Sequence, residues 1–110
     1  MKDRLVQRAK QLLMDLISTP SFSGEEAQTA LLIENFLKEE GISYKREYNN
    51  VWAVNQFYDK TRPSILLNSH HDTVMPNKAY TRDPFHAEIS EGKIFGLGSN
   101  DAGGSLVSLM

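Results

Sequence analysis

Cysteine is absent from this chain of 110 residues. That absence excludes disulfides and thiolate metal sites, and it leaves histidine and carboxylate as the metal ligands the chain can offer. An excess of one charge is also lacking. Lys and Arg number 12 against 14 Asp and Glu, a net charge of −2, which gives no electrostatic footing for nucleic acid or an anionic membrane. No apolar run approaches the ~20 residues of a membrane span. Met1-Lys2-Asp3-Arg4 opens an amphipathic segment and not the apolar core of a signal peptide. There is no Gly-x-Ser-x-Gly elbow for a serine hydrolase, and no glycine-rich stretch ends in the Lys-Ser/Thr of a phosphate loop. Internal repeats and low-complexity tracts are missing too. What remains is one small domain, 40% hydrophobic, with a cytoplasmic location expected.

The periodicity of the chain predicts an α/β layered domain. Leu5, Ala9, Leu12, Leu13, Leu16 and Ile17 recur at helical spacing, so residues 3–18 read as an amphipathic helix that Pro20 stops. Ser23 and Glu26 form a capping-box pattern ahead of a second helix carrying Ala27, Ala30, Ile33, Phe36 and Leu37, with Gly41 at its end. Strands follow at 42–46 and 51–57 around an Asn49-Asn50 turn. Ser64 to Ser69 reads as a central strand buried on both faces. A hairpin turns at Glu91-Gly92, and a last helix runs from Gly103 to Met110. Trp52 and the tyrosines read as core and sheet residues, and Phe85 as a core anchor behind Pro84.

The chemistry concentrates in two places. In Leu67-Asn68-Ser69-His70-His71-Asp72-Thr73-Val74, an apolar run delivers a histidine and a carboxylate two residues apart. On an extended backbone His70 and Asp72 point the same way and His71 the opposite way. A carboxylate beside an imidazole can fix its tautomer while the other ring nitrogen holds a metal. The ordinary alternative is a hydrogen-bonded structural pair. In Gly96-Leu97-Gly98-Ser99-Asn100-Asp101-Ala102-Gly103-Gly104, Asp101 stands where a glycine loop opens into a helix. There it serves either as a bridge between two divalent ions or as a plain helix N-cap. His71 is expected on the far face, and His86 on the surface of the hairpin.

These two segments resemble the M20 family of co-catalytic zinc peptidases and deacylases, which includes acetylornithine deacetylase, succinyl-diaminopimelate desuccinylase, carboxypeptidase and aminoacylase. Two further stretches agree in the family's order: Pro20-Ser21-Phe22-Ser23-Gly24-Glu25-Glu26, and Asp83-Pro84-Phe85 followed by the Glu91-Gly92 hairpin. The family's usual Asp-x-Lys-Gly-Gly lacks its lysine here, in Asp101-Ala102-Gly103-Gly104, a form most like the acetylornithine or succinylornithine deacetylase branch. The resemblance implies that His70 binds one zinc, that Asp101 bridges two, and that Asp72 is the catalytic carboxylate orienting His70; cobalt or manganese could take the place of zinc. It further implies that residues 1–110 are the N-terminal part of an M20-like catalytic domain, truncated after Met110, with the general base and remaining ligands beyond it. The parent is then a homodimeric amide hydrolase removing an acyl group from an N-acyl amino acid, as in arginine biosynthesis. Its partners are a small N-acyl amino acid or peptide, without nucleic acid or membrane. The alternatives are a dipeptidase or carboxypeptidase of the same family, or a non-catalytic α/β assembly module.

Overall fold

A computed structural model describes all residues 1–110. The chain folds as a small mixed α/β domain. Helix α1 spans Lys2–Ile17 and α2 spans Ala27–Glu39. Strands β1 (Tyr44–Glu47) and β2 (Asn50–Ala53) form one antiparallel hairpin, and β3 (Glu88–Ser90) and β4 (Lys93–Phe95) form another. A wide turn over Ser99–Gly103 leads into α3, Gly104–Leu109.

The core sits where the three helices meet. Leu12, Leu13, Leu16 and Ile17 of α1 pack against Ile33, Phe36 and Leu37 of α2 and Leu106 and Val107 of α3. Burying each such side chain stabilises the fold by roughly 1.5–3 kcal/mol. The i, i+3, i+4 stripes account for both long helices, although Leu5 lies outside the buried part of its stripe and is exposed. Helix α2 ends as its sequence requires. Gly41 adopts a left-handed conformation (φ 72°), its N–H donates to the Lys38 carbonyl, and Ile42 N–H donates to the Leu37 carbonyl, so two of the helix's last carbonyls are satisfied.

Arg4 and Arg8 of α1 clasp Glu40 just beyond α2, at 2.8 Å each, and Arg8 also reaches Glu39 at 2.7 Å. The Arg4 guanidinium, followed by that of Arg8, holds the Glu40 carboxyl down at about 2, from an ordinary 4.5. A depressed folded-state value stabilises the fold above the unfolded value, and that contribution disappears as pH falls through the folded one. Wild type is therefore expected to melt above Glu40→Gln at neutral pH, with the gap closing between about 4.5 and about 2. Thermal melts of the two proteins across that range measure it; a gap that persists at pH 2 would rule the ion cluster out as its source.

The structure departs from the sequence pattern in four places. Ser64–Ser69 belongs to no strand or helix, and no backbone hydrogen bond reaches it. The reason is the absence of a neighbour, since each hairpin pairs only within itself and an extended segment becomes a strand only through a ladder. Ile65, Leu66 and Leu67 consequently lie exposed, the first two at 87%. Tyr44 in β1 packs against the core, but Trp52 of β2, Tyr48 in the hairpin turn, and Tyr58 and Tyr80 in the loops are exposed. Phe85 lies half-buried outside the core, edge-on to Phe22 with ring centroids 6.0 Å apart. Finally, the capping box does not form. Ser23 makes no helix-cap hydrogen bond to α2, and its hydroxyl turns elsewhere.

Candidate functional site

An extended stretch, His70 to Thr73, is tied to the loop between α1 and α2. Thr73 N–H donates to the Ser21 carbonyl at 2.8 Å, the Ser21 hydroxyl donates to the His71 carbonyl at 2.8 Å, and Phe22 and Thr73 form a parallel bridge. Side chains alternate along the tethered stretch as period two predicts, His70 meeting Asp72 and His71 meeting Thr29 and Asn49. His70 and Asp72 share one side. His71 turns away from them into the fold.

The structure brings His70 and Asp101 together. His70 Nε2 lies 3.0 Å from Asp101 Oδ1, and His70 Nδ1 lies 3.1 Å from Asp72 Oδ1 and 3.2 Å from the Asp72 carbonyl. The imidazole is thus held between two carboxylates. Desolvation is the largest single influence on it and acts downward. The hydrogen bonds and charges of Asp72 and Asp101 outweigh it together, so the ring titrates above its ordinary value. The Asp72 carboxyl lies below its ordinary value chiefly because the Ser23 hydroxyl donates to it, with His70 adding to the effect against desolvation.

Asp101 reaches His70 from the wide turn. Gly98 precedes that turn in a left-handed conformation (φ 79°), and Gly103 closes it, its N–H donating to the Gly98 carbonyl at 2.8 Å. A Cβ at Gly103 would stand 2.7 Å from that carbonyl oxygen and from Leu13, so glycine is required for this close approach. Asp101 itself has non-helical backbone angles (φ −122°, ψ 94°) and makes no helix-cap hydrogen bond, nor does any other side chain cap α3. Its side chain is 88% exposed, with His70 as its hydrogen-bond partner.

The other histidines separate clearly. His71 Nε2 faces the Asn49 carbonyl at 2.8 Å. A carbonyl only accepts, so that nitrogen carries a proton, and Nδ1 faces the Thr29 hydroxyl at 2.7 Å. His71 thereby pins the β1–β2 turn to α2 and has no contact with Asp101. His86 is exposed just ahead of β3.

As a metal centre the arrangement is partial. An imidazole and a carboxylate facing each other suit zinc in their donor chemistry. No group of three or more His, Cys, Asp and Glu side chains converges to hold an ion, whereas a catalytic zinc site commonly takes about three protein ligands. Beside His70 runs an open groove of about 760 Å³ between the β1–β2 hairpin and residues 65–72, lined by Val51, Trp52, Val54, Leu66 and Leu109 among others. That is ample room for a small molecule.

No protein-family model matches the chain. Over 105 residues it is 32% identical to a succinyl-diaminopimelate desuccinylase of Xylella fastidiosa, covering 90% of this chain and 27% of that protein. Succinyl-diaminopimelate desuccinylase 1 of a Ruegeria species is 35% identical over 98 residues, 83% of this chain and 25% of its own. The desuccinylase of Stenotrophomonas maltophilia is 30% identical over 105 residues. The chain is a relative of succinyl-diaminopimelate desuccinylases. It spans about a quarter of the length of these curated desuccinylases. Their name agrees with the M20 deacylase resemblance of the motifs. It does not carry the acetylornithine branch, or arginine biosynthesis, toward which the Gly96–Gly104 turn pointed. No helix of the chain is long and apolar enough to cross a membrane.

Sequence reasoning missed Ser23. Its hydroxyl donates to Asp72 Oδ2 at 2.6 Å, while Glu26 accepts from Gly24 N–H at 2.7 Å and from the Asn49 amide at 3.0 Å. A Ser-x-x-Glu pattern ahead of a helix signals a cap. Only the fold reveals a carboxylate close enough to take the hydroxyl, and a charged acceptor makes the stronger hydrogen bond.

Proposed function

We propose that residues 1–110 form part of the catalytic domain of an M20-type, zinc-dependent amide hydrolase that removes an acyl group from an N-acyl amino acid, with an N-succinyl diamino acid as the first substrate to test. The observation that carries this reading is the His70 ring held between Asp72 and Asp101, on a chain related to desuccinylases along most of its length. Zinc, when bound, polarises the scissile carbonyl and makes hydroxide available near neutral pH. This chain's share of the work is then specific. Asp72 accepts a hydrogen bond from His70 Nδ1–H, which fixes the ring and leaves the Nε2 lone pair for the metal. Asp101 presents its carboxylate from a loop that glycines hold against the core. The general base, the remaining ligands and a homodimeric partner belong to the rest of the proposed parent.

The test is a substrate comparison with the protein that carries these residues in its full length. N-succinyl-diaminopimelate, N-acetylornithine and a dipeptide are each assayed with zinc and after chelation. Metal-dependent hydrolysis is expected, fastest on the succinyl substrate. Preference for N-acetylornithine would move the specificity to the branch that the Asp101 turn resembles. The hydrolase reading falls if none of the three is cleaved.

A further inference from the structure

Ser23 reaches the His70–Asp72 pair from the loop between α1 and α2. We propose that Ser23 is a positioning residue for the His70 imidazole, acting through Asp72; the proposal rests on the reading of His70 as a metal ligand. The Asp72 carboxylate divides its two oxygens. Oδ2 accepts from the Ser23 hydroxyl at 2.6 Å and Oδ1 faces His70 Nδ1 at 3.1 Å. A carboxylate with one partner can rotate about its Cβ–Cγ bond, since that torsion is broad. A second, short, charge-assisted bond fixes the rotation and with it the plane offered to the imidazole.

The donor itself is held firmly. Ser21 and Phe22, the two residues before it, are tied to His71 and Thr73 through the Ser21 hydroxyl, the Ser21 carbonyl and the Phe22–Thr73 bridge, and the Phe22 ring lies against Phe85. Ser23 is exposed and has no place in the core. It does not cap α2, because no side-chain cap bond is made there. Its one side-chain hydrogen bond is to Asp72.

The test uses Ser23→Ala, which removes the donor, and Ser23→Thr, which keeps it, in the 110-residue chain at concentrations where it is monomeric. Circular dichroism establishes that each variant folds. Long-range ¹⁵N imidazole spectra of the metal-free protein, at a pH where the ring is neutral, report the His70 tautomer. Wild type and Ser23→Thr are expected to hold the proton mainly on Nδ1, and Ser23→Ala to shift population toward Nε2–H. Zinc titrations followed on the His70 signals should show a dissociation constant about three- to tenfold weaker for Ser23→Ala, less than the roughly 10- to 100-fold cost of losing a direct partner of a metal-bound histidine. An unchanged tautomer and unchanged zinc affinity in Ser23→Ala would overturn the proposal. A shifted tautomer with zinc binding that ignores His70→Ala would uphold the positioning role and overturn the metal-ligand reading instead.

Discussion

Asp101→Ala, made in the full-length hydrolase proposed here, is expected to lower kcat/KM more than roughly 100-fold. Partners that only orient a metal ligand cost about 10- to 100-fold, and Asp101 is proposed as a ligand itself. A hundredfold loss corresponds to about 2.7 kcal/mol of transition-state stabilisation. His70→Ala should fall at least as far. Its ring is the nitrogen donor that both carboxylates address, and its loss leaves Asp72 with no imidazole to orient. The His86→Ala variant serves as the internal control. That side chain is exposed ahead of β3, so its activity should stay within about twofold of wild type, as surface changes away from special features have small effects. Metal content separates mechanism from misfolding, because a folded Asp101→Ala protein should hold less zinc than wild type. Near-normal hydrolysis with unchanged zinc would refute the assignment of Asp101. The helix-cap alternative would instead lower the melting temperature and spare the chemistry.

Residues 1–110 expressed alone are expected to show no hydrolysis, weak zinc binding and self-association. Two proposed donors, His70 and Asp101, fall short of the ~3 protein ligands typical of catalytic zinc, and no larger cluster forms. Glu26 lines the same groove as His70, but its carboxylate is engaged by Gly24 N–H and the Asn49 amide. Association follows from Ile65, Leu66 and Leu67. They combine exposed apolar side chains with a backbone that pairs on neither edge, and such a segment is a template for another strand. Sedimentation across a concentration series should reveal oligomers, and Leu66→Lys should return the chain to monomer by placing a charge in the segment. Stoichiometric tight zinc with measurable turnover from the 110 residues would show that the site is more complete than its geometry indicates. A strictly monomeric chain would show that Ile65–Leu67 is covered in solution.

What the sequence settled by itself is local. Helices α1 and α2 follow from apolar residues at helical spacing, and their ends from Pro20 and Gly41, because the bonds that define them lie within a few residues. The β3–β4 hairpin is legible for the same reason, with Glu91 and Gly92 both at positive φ in its turn. The chemistry-bearing residues were legible as types and spacings, and period two was enough to separate His70 from His71 without any strand being formed. Tertiary structure decided what depends on distant partners. Ser64–Ser69 has the composition of a buried strand, yet composition cannot supply the neighbouring ladder that would make it one. Ser23 and Glu26 have the pattern of a capping box, yet Asp72, 49 residues away, takes the serine's only proton. The meeting of His70 and Asp101 across 31 residues required the wide glycine turn to be pressed against Leu13 of α1. A hydrogen bond needs its two partners within about 3 Å, and along the chain only the fold brings such residues that close.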